Sequence, residues 1–477
     1  MHSVLTERVS KMNKQTILQN MSVAFLAQGV SMCLSILQTL LVPKVLGAEQ
    51  YGYWQLYIFY ISYVGFFHLG LSSGVYLTTG GQTREQMDKS SIKSQMLFGA
   101  MYETAMAVVI VIYSQSLSVG PERTFVIVMT AIYLVLQNLA TFMMNELQCM
   151  NETKKSSYSS IVERLAFLGP LLVFLVLRVR IFEPYVFAFT ASAIVQLVYC
   201  IWHLREFWSA PFLGVPKAAQ LSWGSIKIGF PMMMANIASM LILGIGRFFI
   251  DKAWGIETFG KLSLALSLVS FFLAFVSQAS MVLFPSLRQA DKGEVRSFYK
   301  AARDAMGLLF PAVYALYFPL AWILSMWLPE YASSFVYLIL LLPICVFDSK
   351  MNITGVTFFN VLRKERVMLA VNAVAAGTCF VMTLVSVYLL RSVFAVMASM
   401  TLVVAARSIY SESYMNRALN VGASKIWICE LGLTVEFIVA AFILPAPIAF
   451  CIYVGSYLIF LGIFRNVFIG TLNKLKA

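Results

Sequence analysis

Long apolar runs recur along the whole sequence, each broken by a short cluster of charged residues, glycine, proline or asparagine. A helix that crosses a bilayer needs about 20 mostly apolar residues, and fourteen runs reach that length. The pattern predicts an all-α polytopic membrane protein with spans at 15–41, 52–76, 94–116, 122–146, 157–177, 183–204, 224–250, 260–285, 305–328, 333–359, 367–390, 392–415, 425–446 and 448–470. The first run is too long for a signal peptide and lacks a small-residue cleavage site, so we expect the mature protein to keep it.

Composition agrees with this pattern, because 60% of the 477 residues are hydrophobic and only 12% are charged. In soluble chains about 45–50% of the residues are hydrophobic and about 25% are charged. With a cytoplasmic N-terminus and strictly alternating spans, 23 basic residues fall on the cytoplasmic side and 7 on the other. The positive-inside rule therefore predicts that both termini are cytoplasmic. The net charge of +13 then reflects orientation, and no nucleic-acid partner is expected.

An internal repeat organises the spans. Residues 27–52 align with 235–260 at a constant offset of 208, with seven identities. The offset covers six spans, an even number, so the two copies share one orientation and form a parallel repeat. We predict an N-lobe at 1–215, a C-lobe at 216–420, and two additional spans at 421–477. In such architectures the substrate site lies between the lobes near the middle of the bilayer.

Three local patterns predict packing rather than chemistry. Residues 255–261 match the start of a phosphate-binding loop, but Leu262 stands where that loop needs Ser or Thr and no strand precedes it. We interpret 47–52 and 255–260 as tight turns whose glycines adopt positive φ. Gly70 and Gly74 should allow a helix to approach closely. Tryptophans at the ends of runs, Trp54 among them, are expected at the membrane interface, and Trp322 is expected to pack in the core.

No arrangement of residues predicts an enzyme. The three histidines are scattered, the loops are too short for a catalytic domain, and the seven cysteines show no metal-binding or disulfide spacing. We therefore expect no metal and no cofactor.

Charges inside the apolar runs are costly, about 2.5–3.5 kcal/mol each at the bilayer centre, and so become candidates for function. The substrate-binding candidates combine basic and amide side chains: Arg164, Lys227, Arg247, Lys350, Arg407, Asn236 and Gln28. The candidates for charge tuning or ion coupling are acidic: Asp251, Asp348, Glu103, Glu430 and Glu436. Two structural alternatives stay open, since Arg247 and Asp251 have the spacing of a helical ion pair and Arg407 could extend to the interface.

The tenth span has an unusual composition. It combines Pro343, Asp348, Lys350 and Asn352 within ten residues, followed by Gly355. This composition favours an irregular helix that lines polar space over one that faces lipid.

The segment Leu41–Trp54, LVPKVLGAEQYGYW, closely resembles the first periplasmic turn of the bacterial polysaccharide transporter family, whose pattern is LVPRxLGxxxYGxW. Residues 229–231, Gly-Phe-Pro, and 247–251, Arg-Phe-Phe-Ile-Asp, resemble the second-lobe segment of that family, together with Gly255, Phe259 and Gly260. The similarity in motifs covers about 70 residues, whereas the helix layout agrees over the whole chain.

The resemblance implies a flippase for lipid-linked O-antigen or capsule repeat units. Such a protein moves an undecaprenyl-diphosphate oligosaccharide from the cytoplasmic to the periplasmic leaflet of the bacterial inner membrane by alternating access. The implied partners are the lipid-linked oligosaccharide, membrane lipids, a polysaccharide polymerase and a chain-length regulator, and the implied energy source is a H⁺ or Na⁺ gradient. Basic and amide side chains would suit the anionic diphosphate and the sugar hydroxyls.

Three other functions stay open. The peptidoglycan lipid-precursor flippase belongs to the same superfamily and has the same number of helices. A multidrug or cation antiporter is disfavoured because residues 15–41 contain no acidic residue, whereas such members commonly carry an ion-coupling Asp there. An integral-membrane enzyme or an assembly scaffold completes the set.

Overall fold

The protein is helical throughout the part of the chain that its structure, a computed structural model, describes: residues 14–116, 120–289, 291–467 and 469–470. No β-strand occurs among these residues, which confirms the predicted all-α class. The chain separates into two compact units, Met1–Met234 and Ala235–Ala477.

The first unit contains α1 Lys14–Leu40, α2 Val42–Ile61, a 3₁₀ helix Val64–His68, α3 Leu71–Thr79, α4 Lys89–Ser116, α5 Pro121–Cys149, α6 Thr153–Val176, α7 Glu183–His203 and α8 Arg205–Trp208. Helix α9, Val215–Gln289, begins in this unit and ends in the next. The second unit continues with α10 Lys292–Leu309, α11 Ala312–Trp327, a 3₁₀ helix Pro329–Ser334, α12 Phe335–Lys350, a π-helix Met351–Val356, α13 Thr357–Val361, α14 Glu365–Leu384, a π-helix Val385–Leu389, α15 Val393–Ala418, α16 Ile426–Ile443 and α17 Ala446–Ile463.

Eleven helical segments among the described residues are long and apolar enough to cross a membrane. The number is twelve when the bent pair Leu26–Leu40 and Val42–His68 counts as one span. One of the eleven, Val215–Ser277, has 63 residues, about three times the length that one crossing needs. The multi-pass membrane character is therefore confirmed, whereas the count of fourteen and the side of the termini stay predictions.

Large apolar side chains cover the outer faces of the helices. Val176 is 81% exposed, Leu389 77% and Ile443 73%. Soluble proteins rarely expose contiguous apolar surface on this scale, because water makes it unfavourable. These faces are suited to lipid.

The two copies of the repeat contain the same backbone turn. Gly47 has φ 75° and ψ 172°, and Gly255 has φ 81° and ψ 179°. This region of backbone space is essentially closed to residues with a Cβ atom, so glycine is required at both positions. The positive φ predicted for these two glycines is confirmed. The prediction is wrong for Gly52 and Gly260, which lie in regular helix one turn later.

Helix α3 crosses the start of α9 at backbone contact distance. A Cβ added to Gly74 would lie 1.9 Å from the Ser225 carbonyl oxygen, and one added to Gly229 would lie 2.0 Å from the Gly70 carbonyl oxygen. Backbone atoms cannot move aside as flexible side chains do. The close approach predicted for Gly70 and Gly74 is therefore confirmed, and Gly229 is its counterpart on α9.

Replacing Gly74 with alanine should lower the free energy of unfolding by about 1–3 kcal/mol, because the new methyl group overlaps a backbone carbonyl. Gly224→Ala is the matched control, since nothing lies within 4 Å of a Cβ at that position. SDS titration of both variants in mixed micelles measures the difference. Equal stability of the two variants would contradict the close helix crossing.

Aromatic packing in the first unit corrects the prediction for Trp54. Its side chain is fully buried, stacked on Phe167 with ring centroids 6.0 Å apart, and it meets the edge of Phe189 at 5.9 Å. Trp54 is therefore a core residue of α2 and not an interfacial one. The opposite correction applies to Trp322, which is 65% exposed on α11 instead of packed in the core.

Candidate functional site

The end of helix α12 carries two charged residues, Asp348 and Lys350. Pro343 lies inside this helix, and the chain passes directly from Lys350 into the π-helix Met351–Val356. A π-helical turn inserts one extra residue and is frequent at functional sites. The irregular helix predicted from the composition of this span is present.

Asp348 and Lys350 point in different directions from this helix end. Residues two positions apart in an α-helix are separated by about 200° around the helix axis, so Asp348 and Lys350 do not share a face. Each of the two side chains accordingly has its own partners, and together they create two polar sites.

The first site is the ion pair of Arg407 on α15 with Asp348. The Arg407 guanidinium also donates to Ser239 Oγ at 3.1 Å and to Asn372 Oδ1 at 3.4 Å. Only 3% of its side chain is exposed. Asn352 Nδ2 donates to the other Asp348 oxygen at 3.4 Å. Four helical segments thus hold one buried guanidinium in place.

A groove of about 650 Å³ runs along α14 and α15 beside this ion pair. Its lining is mainly apolar, with Val371, Val374, Met382 and Leu402 among its members. Arg407 is the charged residue of the described lining. The groove therefore combines apolar surface with a positioned cation.

The second site is centred on Lys350, whose side chain is 4% exposed. Its Nζ lies 2.6 Å from Glu430 Oε2 on α16 and 3.0 Å from Glu412 Oε2 on α15. Sequence reasoning found Lys350 and Glu430 but not Glu412. Glu412 lies near the end of a predicted span, where a carboxylate is ordinarily at the interface and solvated.

Arg247 has a different environment, on α9 eight residues before the turn at Gly255. Its guanidinium donates to Ser263 Oγ at 3.0 Å and lies 5.2 Å from the centroid of the Phe259 ring. A cation over an aromatic face is stabilised by the ring quadrupole. Asp251, one helical turn later, is buried.

The remaining candidates are not brought into either site. Lys227 is exposed with its Nζ 5.5 Å from the centroid of the Trp223 ring, and Asn236 is exposed as well. Intermediate exposure is shared by three further candidates: Arg164, Gln28 and Glu436. Glu103 is buried in α4.

The first unit also buries two carboxylates that sequence reasoning did not select. Glu146 on α5 is 1% exposed, and neither of its carboxylate oxygens has a hydrogen-bond partner among the described residues. Glu163, beside Arg164 on α6, is 6% exposed. Both lie within predicted spans, which is the signal that could have identified them.

Charged residues also connect the helix ends on the side of the first unit predicted to be cytoplasmic. Arg84 pairs with Glu152 at 2.6 Å and with Glu206, which Lys89 also contacts at 2.6 Å. Hydrogen bonds from Lys89 and Arg84 hold the pKa of Glu206 below its ordinary value. Burial alone would raise the pKa of Glu152, but hydrogen bonds from Arg84 and Lys155 outweigh it and leave that pKa lowered.

Because both glutamate pKa values are lowered, this network stabilises the fold above the ordinary glutamate pKa, about 4.3, and the contribution is lost as pH falls below it. The melting temperature of the wild type should therefore fall more between about pH 5 and about pH 3 than that of Glu206→Gln. Glu85→Gln is the matched control, because Glu85 is exposed and adjacent to Arg84 in sequence. Parallel curves for the wild type and Glu206→Gln would show that the network does not contribute.

Residues 17–291, more than half of the chain, match the family model described as polysaccharide biosynthesis protein. The chain belongs to this family. The family resemblance stated from Leu41–Trp54 is thereby confirmed. No curated protein sequence matches the chain.

The fold is shared with solved membrane transporters. An inward closed structure of the lipid II flippase MurJ matches with a TM-score of 0.65 and 12% identity, covering 94% of this chain and 99% of that one. An inward-facing multidrug resistance MATE family transporter of the MOP superfamily matches with a TM-score of 0.58 and 12% identity, covering 82% and 94%. A MOP superfamily transporter from Pyrococcus furiosus matches with a TM-score of 0.52 and 10% identity, covering 85% and 96%. The family member thus has the fold of flippases and transporters rather than of enzymes, as the sequence predicts.

Proposed function

We propose that the protein is a flippase for undecaprenyl-diphosphate-linked oligosaccharide repeat units. It moves them from the cytoplasmic to the periplasmic leaflet of the bacterial inner membrane by alternating access, for O-antigen or capsular polysaccharide synthesis. Membership of the polysaccharide biosynthesis family and a fold similar to that of a lipid flippase both support this function.

The observation that carries the proposal is the groove along α14 and α15. A lipid-linked oligosaccharide is amphipathic, with a long apolar chain joined to an anionic diphosphate. The groove offers apolar surface from Val371, Val374 and Leu402 together with the Arg407 guanidinium. Arginine forms paired hydrogen bonds with phosphate oxygens, and its position is fixed here by Asp348 and Asn372. An exporter of cationic drugs would be better served by an acidic lining.

The proposal includes partners and an energy source. Membrane lipids surround the apolar outer faces, and a polysaccharide polymerase and a chain-length regulator would take over the translocated unit. A H⁺ or Na⁺ gradient would drive the cycle, with the buried carboxylates as candidates for coupling.

Deletion of the gene, with complementation by the wild type, tests the function. We expect the deletion strain to lose surface polysaccharide and to accumulate lipid-linked repeat units in the cytoplasmic leaflet, with both defects reversed by the wild type. Accumulation is measured by the protection of the sugars from an impermeant periplasmic glycosidase. Normal surface polysaccharide in the deletion strain would overturn the proposal.

A peptidoglycan lipid-precursor flippase is the second candidate, because the lipid II flippase MurJ shares the fold along 99% of its length. A second deletion, in a strain whose surface polysaccharide synthesis is blocked at its first step, separates the two functions. Viability of that strain supports the repeat-unit flippase, whereas lethality supports the peptidoglycan precursor. Reduced drug accumulation on expression, without a polysaccharide defect, would instead indicate an antiporter.

A further inference from the structure

The Lys350 site contains more negative than positive charge. One ammonium group contacts two carboxylates, Glu412 and Glu430, and all three side chains are buried, with 4%, 8% and 0% of their surface exposed. The three groups come from α12, α15 and α16, so they connect the first helix of the C-terminal pair to the body of the second unit. If both carboxylates were ionised, the site would have a net charge of −1 in a medium of low dielectric constant.

The charges on neighbouring helices do not supply the missing positive charge. On α10, Arg303 and Asp304 form an ion pair of 2.9 Å with each other. Arg303 also donates to Asn416 Oδ1 at 2.7 Å and to the Gly422 carbonyl oxygen at 2.8 Å. On α12 and α15, Asp348 and Arg407 neutralise each other.

The tyrosines that pack around the site are neutral and have other partners. Tyr299 on α10 donates to the backbone carbonyl oxygen of Glu412 at 3.2 Å. Tyr314 on α11 shares a hydrogen bond of 3.0 Å with Thr434, and Tyr453 on α17 donates to the Pro311 carbonyl oxygen at 2.7 Å. None of these groups compensates a second carboxylate, so the excess charge rests on the glutamate pair.

One oxygen of the pair is also left without a hydrogen bond. Glu430 Oε2 contacts Lys350, whereas Glu430 Oε1 is buried and has no hydrogen-bond partner among the described residues. A buried ionised oxygen without a partner is unfavourable, since it has lost its hydrogen bonds to water and no protein donor replaces them. Helix α10 packs against the Glu430 carboxyl group, because a Cβ added to Gly307 would lie 2.7 Å from Ile426 and 4.0 Å from Glu430 Oε2.

We propose that the Glu412–Glu430 pair binds one proton at neutral pH. The proton comes from water and forms an O–H bond with a carboxylate oxygen, so that the site consists of one carboxylate, one carboxylic acid and one ammonium group with no net charge. The two glutamates titrate as a pair, so the proton belongs to both. A metal ion is a poorer occupant, because hard cations take six or more oxygen ligands and an ammonium group already lies between the two carboxylates.

The bound proton holds α16 against α12 and α15. Without it, two like charges remain in a buried site, and their repulsion weakens the attachment of the C-terminal helix pair. This role concerns the fold of the second unit and does not depend on which lipid the protein carries.

Infrared spectroscopy of the purified full-length protein in lipid nanodiscs detects the proton directly. The wild type should show a carboxylic-acid C=O stretching band at neutral pH that shifts in D₂O and disappears on alkalinisation. In difference spectra against the wild type, both Glu412→Gln and Glu430→Gln should lose the component of this band that comes from the pair, since each leaves one carboxylate for one ammonium group. The matched control is Glu436→Gln, because Glu436 is half-buried six residues later on α16 and should leave the band unchanged. An unchanged band in both single variants would overturn the proposal.

Thermal unfolding gives a second readout that needs only one variant to fold. The folded wild type holds one proton more than the unfolded chain at neutral pH, so its stability should fall as pH rises. From about pH 6 to about pH 9, below the ordinary lysine pKa of ~10.4, the melting temperature of the wild type should decrease more than that of Glu412→Gln. Parallel curves of melting temperature against pH for the wild type and Glu412→Gln would contradict the proposal that the pair binds a proton. Loss of the pH dependence on adding sodium chloride, but not choline chloride, would replace the proton by a sodium ion and so overturn the proposal.

Discussion

Replacing Arg407 with methionine should lower the free energy of unfolding by about 3–5 kcal/mol and abolish export of surface polysaccharide. The loss of stability follows because Asp348, whose side chain is 22% exposed, would keep its charge in a largely apolar surrounding without the guanidinium. The loss of export follows from the proposed contact between Arg407 and the diphosphate in the groove along α14 and α15. SDS titration in mixed micelles and quantification of surface polysaccharide measure the two effects.

The double variant Arg407→Met/Asp348→Asn separates these effects. It removes both charges, so most of the stability should return, whereas export should stay absent because the cation is still missing. Lys227→Met is the control for loss of a basic residue, since Lys227 is exposed and its Nζ lies over the Trp223 ring. Restored export in the double variant would show that Arg407 has a structural role alone.

Lys350→Met should destabilise the protein by a similar amount, about 3–5 kcal/mol at neutral pH, because it leaves Glu412 and Glu430 together without a cation. The loss should shrink towards about pH 5, where the remaining carboxylate of the pair can also take up a proton and become neutral. Melting temperatures of the variant and the wild type between about pH 5 and about pH 8 measure this dependence.

Adding both Glu412→Gln and Glu430→Gln to Lys350→Met should recover part of the stability, since no uncompensated carboxylate then remains at the site. Adding Glu436→Gln instead should recover none, because Glu436 does not contact Lys350. A Lys350→Met variant as stable as the wild type at neutral pH would mean that water reaches the site and solvates the carboxylates.

The sequence was sufficient for the features that depend on local pattern. Apolar runs predict helices because a chain in lipid must satisfy its backbone hydrogen bonds within each segment. The repeat offset of 208 predicts that Gly47 and Gly255 occupy equivalent turns, and their φ and ψ values agree within 10°. The spacing of Gly70 and Gly74 predicts close helix contact, although not that Ser225 and Gly229 are the partners.

The partners of the buried charges could not be predicted in the same way. Lys350 and Glu430 are 80 residues apart, and no local rule joins them. Arg303 was counted with the cytoplasmic basic residues because it follows four others within 288–303, yet its side chain is 3% exposed and pairs with Asp304. Trp54 lies at the end of an apolar run, but three-dimensional packing rather than position in the run decides its burial. These contacts depend on which helices become neighbours.

The turns at Gly47 and Gly255 are equivalent positions in the two copies of the repeat, so they allow the two halves of one chain to be compared. The backbone at each position excludes a side chain, so glycine is required there in both halves, although most of the other aligned residues differ between the two copies. The same defect, Gly to Ala, can be introduced into either half of one chain, with the other half intact. Comparing the stability of the two single variants would show which half tolerates the substitution better. The difference would show how much each half contributes to the stability of the fold.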